Sequence, residues 1–163
     1  MKELIKKILK EYSEEKILVI PSLKYFGDDW NLLKSYLQSK GNSKGNPKWK
    51  IMDDLYLSNT PIKSLGNLQS VKGNLNLINT PIESLGNLQS VEGNLNLRNT
   101  PIESLGNLQS VGGYLDLANT PIKSLGNLQS VKGYLDLFNT PISKKYTKEQ
   151  IREMVNVEGG IYL

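Results

Sequence analysis

Residues 63–82 read KSLGNLQSVKGNLNLINTPI, and the phrase returns as ESLGNLQSVEGNLNLRNTPI (83–102), ESLGNLQSVGGYLDLANTPI (103–122) and KSLGNLQSVKGYLDLFNTPI (123–142). There is no insertion or deletion, and 15 of the 20 columns are identical in all four copies. A fixed period of this length marks stacked repeats, each burying its apolar face only against its neighbours. Within the first copy Leu75 and Leu77 alternate with Asn74, Asn76 and Ile78, so a strand there sends the leucines inward and the intervening side chains outward. Val71, Ile82, Leu85 and Leu88 are expected to complete the interior. A degenerate unit precedes the four, with Ile51, Leu55, Leu57, Thr60 and Ile62 in phase. The phase returns in Val157–Leu163, displaced by 6 residues. The extra residues fall in 144–156, where Thr147 and Gln150 form a capping-box pair and Ile151 and Met154 have helical spacing, which predicts a short helix before the last strand.

The run Leu-x-Leu-x-x-Thr-x-Ile resembles the strand segment of leucine-rich repeats over residues 51–163, and is most similar to short Thr-type arrays of tailed-phage and bacterial proteins. The resemblance implies an α/β solenoid with one short strand per unit, a curved parallel sheet on the concave face and a return along the convex face. The ladder Asn of that family is replaced by Thr60, Thr80, Thr100, Thr120 and Thr140, whose hydroxyls are expected to satisfy backbone groups at the turn. The rival fold is a parallel β-helix, which requires a second regular strand per coil. Ser64–Leu68 is a poor candidate for it, because Gly66 and Asn67 are strand-poor residues.

A stack of repeats needs its ends covered. Residues 1–50 are read as a helical N-terminal cap and linker ahead of the array at 51–163. Leu4, Ile5, Ile8, Leu9 and Tyr12 share a helical face, and Asp29 opens a second helix carrying Trp30, Leu33 and Leu37 before Gly41 ends it. Between them Ile17–Ile20 fits either a buried strand or an extended connection broken by Pro21. Residues 40–48 read as the link into the array.

Composition narrows the chemistry. The 163 residues hold no Cys and no His, which excludes disulfides, Cys or His metal sites, thiol nucleophiles and imidazole catalysis. No apolar run approaches a membrane span, and the charged, interrupted N-terminus does not read as a signal peptide, so a cytoplasmic protein is expected. The net charge of +4 is uneven: residues 1–50 carry 11 Lys against 6 acids, 51–142 carry 5 bases against 7 acids, and 143–163 carry 4 against 3. The basic segment includes Lys6, Lys7, Lys10, Lys40, Lys44, Lys48 and Lys50, whose plain role is to solvate a helix face and a linker.

Sister units diverge in five columns only, and three of these flank the strand leucines on one face. They read Asn74, Asn76, Ile78; Asn94, Asn96, Arg98; Tyr114, Asp116, Ala118; and Tyr134, Asp136, Phe138. Tyr56 and Tyr162 are in phase with them. The face therefore collects four Tyr, a Phe and an Arg, residue types enriched at binding hot spots, and it is the expected partner-binding surface. The Asn74–Asn94 and Asn76–Asn96 pairs suggest amide ladders between stacked strands. Asp116 and Asp136, on adjacent strands, are positioned to share a proton or a cation, the arrangement of a glycan-acting site. With no cleft and no third polar group implied, a polar binding patch is the simpler reading. Gly73, Gly93, Gly113 and Gly133 are turn glycines and not a phosphate loop.

The leading expectation is a non-enzymatic module that holds a partner protein on the concave sheet, with no cofactor and no metal. The resemblance to phage arrays implies an inhibitor or adaptor acting on a host protein. Carbohydrate binding or carboxylate-based hydrolysis and, less favoured, nucleic-acid binding through the basic N-terminal segment are the alternatives. A homodimer through the edge strand Gly160–Leu163 is also expected, by antiparallel joining of two sheets.

Overall fold

The computed structural model describes residues 17–43 and 45–163. The helix read from Leu4 to Tyr12, and Lys6, Lys7, Lys10 and Lys44, lie outside the described residues.

The array is a parallel β-solenoid with two short strands per unit. The first sheet takes β1 (Leu18–Ile20), β2 (Trp49–Ile51), β4 (Leu68–Val71), β6 (Ser90–Val91), β8 (Ser110–Val111), β10 (Ser130–Val131) and β12 (Asn156–Val157), in that order. The second takes β3 (Leu55–Tyr56), β5 (Leu75–Asn76), β7 (Leu95–Asn96), β9 (Leu115–Asp116), β11 (Leu135–Asp136) and β13 (Ile161–Tyr162). All pairings in both sheets are parallel. The single strand per unit implied by the leucine-rich-repeat resemblance is thus corrected to two, the number that the rival β-helix requires. The second strand is not at Ser64–Leu68 but at the Ser-Val pair ahead of the glycine, where Val points inward and the backbone of Gln and Ser is free to pair with the next coil.

Register follows the sequence period. Ile51 pairs with Val71, Leu55 with Leu75, and Leu95 with Leu115. The displaced last unit is also in place, with Val131 beside Val157 and Leu135 beside Ile161. The added length is taken up by α2 (Pro141–Lys145) and α3 (Lys148–Met154), and the capping box between Thr147 and Gln150 is formed.

Each coil is filled by the same inward set: Leu95, Leu97, Ile102, Leu105 and Leu108 are fully buried, as are their counterparts in the next unit from Leu115 to Val131 apart from Leu125 and Leu128, which retain slight exposure. Burying a Leu or Ile side chain contributes about 1.5–3 kcal/mol, so the fixed aliphatic columns, those of Leu65, Leu68, Val71, Leu75, Leu77 and Ile82, are first a packing requirement. The Thr column does what was expected of it. Each hydroxyl donates to the carbonyl three residues back, from Thr60 to Leu57 at 2.6 Å and from Thr140 to Leu137 at 2.7 Å.

The N-terminal flank is joined to the array as one core. β1 pairs with β2, which spans the expected boundary at residue 50, and Ile20, Leu23, Leu33, Leu37 and Trp49 are buried in the same cluster as the repeat leucines. Of the stretch Ile17–Ile20, Leu18–Ile20 is therefore a strand, with Ile20 its buried residue. Asp29 caps helix α1 (Trp30–Ser39) by accepting from the amides of Asn31 and Leu32.

At the other end the outer edge of the first sheet is closed by one side chain. In the preceding coil the carbonyls of Val131 and Gly133 accept from the amides of Glu158 (3.0 Å) and Gly159 (3.1 Å). The equivalent carbonyls of the last coil, Val157 and Gly159, accept instead from the two terminal nitrogens of Arg152, at 2.8 Å for Gly159. The α3 guanidinium stands where the backbone of another coil would be. Arg152→Ala is expected to lose about 1–3 kcal/mol, in the range for hydrogen bonds to a charged group, and to speed amide hydrogen exchange across 156–161. Unchanged exchange there would show that the edge does not depend on Arg152.

Candidate functional site

The outward side of the second sheet carries the three divergent columns that flank the strand leucines, and the structure divides it into two zones. In the first, side chains serve the backbone. Asp54 accepts from the Asn74 amide (2.6 Å), Asn74 from the Asn94 amide (2.8 Å) and Asn94 from the Tyr114 amide (2.9 Å), so the 74–94 column is a side-chain-to-backbone ladder running between coils. The amide ladder expected between Asn76 and Asn96 is not formed. Each turns back within its own unit and accepts from the amide two residues on, Ile78 at 3.1 Å and Arg98 at 3.0 Å. Asx turns of this kind hold the chain as it leaves the strand. Tyr56 is exposed at this end, with its hydroxyl donating to Asp54 at 2.8 Å.

A true amide ladder exists elsewhere, and it was not read from the sequence. Asn59, Asn79, Asn99, Asn119 and Asn139 all sit in the left-handed region, and the side-chain amide of each of the last four donates to the Oδ1 of the preceding coil's Asn at 2.8–3.0 Å. Its only signal is the invariance of the Asn before Thr-Pro, and that column looks like any other fixed column.

The second zone gathers the aromatic and charged residues. Tyr114 and Tyr134 stack with ring centroids 4.8 Å apart and planes 7° from parallel. Tyr162 meets Tyr134 almost at right angles, at 5.7 Å and 80°. Burial first, then Tyr114 and the carboxylates of Asp116 and Asp136, raises the Tyr134 phenol above its ordinary pKa. Phe138 is 59% exposed, Tyr162 55% and Tyr134 37%. Ala118, by contrast, is fully buried and Ile78 half-buried, so neither adds to the accessible patch.

Arg98 bridges Asp116 and Asp136. Its Nε donates to Asp116 at 2.9 Å and a terminal nitrogen to Asp136 at 3.3 Å, and the hydrogen bond to Asp116 is the main reason the guanidinium pKa is raised. The other oxygen of each carboxylate accepts from the amide two residues on, Ala118 at 3.0 Å and Phe138 at 2.9 Å. Both oxygens of both acids are thus engaged. This geometry anchors charge and shapes a surface. The shared cation foreseen for the pair is supplied by the chain itself.

Among the described residues no group of acids is arranged to hold a metal ion, and no helix is long and apolar enough to cross a membrane. A cleft of about 770 Å³ lies at the N-terminal end, lined by Trp30, Lys34, Trp49, Tyr56, Ile62 and Lys63 among others. It takes in Tyr56 alone of the predicted site residues. No family model, curated protein or solved structure matches this chain.

Proposed function

We propose that the outward face of the second sheet is a docking surface for a partner protein, with Tyr134, Phe138 and Tyr162 as apolar anchors and the Arg98–Asp116–Asp136 network as the polar element that sets orientation. The observation that carries this reading is the pattern of divergence. Units that keep every inward Leu, Ile and Val change on this sheet only at the columns flanking the strand leucines, and in the last two units the changes introduce aromatic residues of which Tyr134 and Phe138 stay accessible. Large aromatic side chains left in water on a rigid scaffold are the usual material of binding hot spots, and repeat scaffolds tolerate such grafting because each coil is held by its own core. The Leu-x-Leu-x-x-Thr-x-Ile units resemble short Thr-type leucine-rich repeats even though each coil carries a second strand, and their similarity to phage and bacterial arrays favours an inhibitor or adaptor of a host protein.

The test is a triple variant, Tyr114→Ala, Tyr134→Ala and Phe138→Ala, used as bait beside wild type in lysate of the natural host, with thermal melting of both. Loss of a specifically captured protein by more than about a hundredfold, with cooperative melting retained, is the expected result for two or more hot-spot anchors. Identical captured sets from both baits would refute the reading.

A further inference from the structure

The chain as a whole carries +4, but this face has the opposite sign. Among the described residues its charged side chains are Asp54, Asp116, Asp136 and Arg98. Arg98 is bound closely to Asp116, which is 4% exposed, and more loosely to Asp136. Two carboxylates thus share one guanidinium, and the cluster keeps a net charge of −1 on the side of the longer contact, Asp136. Register places that carboxylate beside Tyr162 on the neighbouring strand, and strand alternation places it two residues from Tyr134 on the same face. One side of Tyr134 is taken by Tyr114, and the aromatic surface that the edge-to-face pair of Tyr134 and Tyr162 leaves open stands beside this carboxylate, a corner suited to a cation: the open π surface attracts positive charge and the carboxylate accepts its hydrogen bonds.

Resting on the docking reading above, we propose that the partner inserts a cationic side chain, Arg or Lys, into the corner formed by Tyr134, Tyr162 and Asp136. The partner surface is then basic, and the long-range attraction between it and this acidic face speeds encounter at low salt. An acidic partner or a nucleic acid would meet the wrong sign here.

The probes are two blocked octapeptides, one alternating Gly and Arg and one alternating Gly and Glu, titrated into the full chain while the aromatic proton resonances of Tyr134 and Tyr162 are followed by NMR. The Arg peptide is expected to give saturable shifts at both rings and the Glu peptide none. Asp136→Asn should weaken the Arg peptide at least fivefold. That variant keeps the fold, because sister units already use Asn76 and Asn96 to make the same turn and Asp116 still holds Arg98. Tyr162→Phe should bind within twofold of wild type and Tyr162→Ala at least tenfold more weakly, since the ring face and not the hydroxyl makes the contact. Equal responses to the two peptides, no saturable shift, or indifference to Asp136→Asn overturns the proposal. The two readings fail separately. Lysate capture that needs the aromatic anchors but ignores Asp136→Asn keeps the docking face and removes the cation, whereas Arg-peptide binding without any captured protein keeps the cation corner and removes the docking function.

Discussion

Gly133→Ala is expected to destabilise the protein by about 3 kcal/mol or more and to lower the melting temperature by roughly 10 °C. A Cβ on Gly133 would lie 2.7 Å from the carbonyl carbon of Gly113 and 2.7 Å from the amide nitrogen of Tyr114. Both are backbone atoms of the coil below, so no rotamer change relieves the clash. Gly133 also donates to the Gly113 carbonyl at 2.8 Å, and separating the coils to fit the methyl would break that bond and stretch the β9–β11 ladder beside it. The comparison variant is Gly66→Ala. Gly66 has a left-handed φ of +59° but open space around its Cβ position, so only conformational strain is added, about 1 kcal/mol. Urea melts of both proteins check the difference, and comparable losses at the two positions would mean that coil spacing is not set by the glycine column.

The period, the phase of the degenerate first unit and the six-residue displacement of the last were legible because burial imposes them on every coil, and a repeated constraint shows as a repeated column. The second strand was hidden by its length. Ser90–Val91 is too short for any alternation to appear, and its pairing arises from contact with the neighbouring coil rather than from local preference. The exposed aromatics Tyr134, Phe138 and Tyr162 were recognisable from strand alternation alone. What each polar residue does was not. Asn74 and Asn76 stand two residues apart and look equivalent, yet one bonds to the next coil and the other to its own turn. Arg98 reaches Asp136 across 38 residues of chain, a partnership that exists only once two intervening registers are fixed.

The second large effect separates scaffold from face. Rewriting the last two full units with residues that the first unit carries at the same columns, as Tyr114→Asn, Asp116→Asn, Tyr134→Asn, Asp136→Asn and Phe138→Ile, leaves every buried leucine and every turn in place. Asn at 114 and 134 extends the ladder already built by Asn74 and Asn94, and Asn at 116 and 136 repeats the turns of Asn76 and Asn96. Arg98 loses both carboxylates, but its side chain is 40% exposed and stays hydrated, so the cost is of the order of 1 kcal/mol. Partner binding, in contrast, loses its aromatic anchors and its charge together, an expected drop of at least about a hundredfold. The decisive measurement is quantitative capture from host lysate by wild type and by this five-residue variant at matched concentration, with thermal melting of each. Cooperative melting within a few degrees of wild type together with loss of the captured partner is the predicted result, while undiminished capture by the variant would contradict the assignment of function to this face.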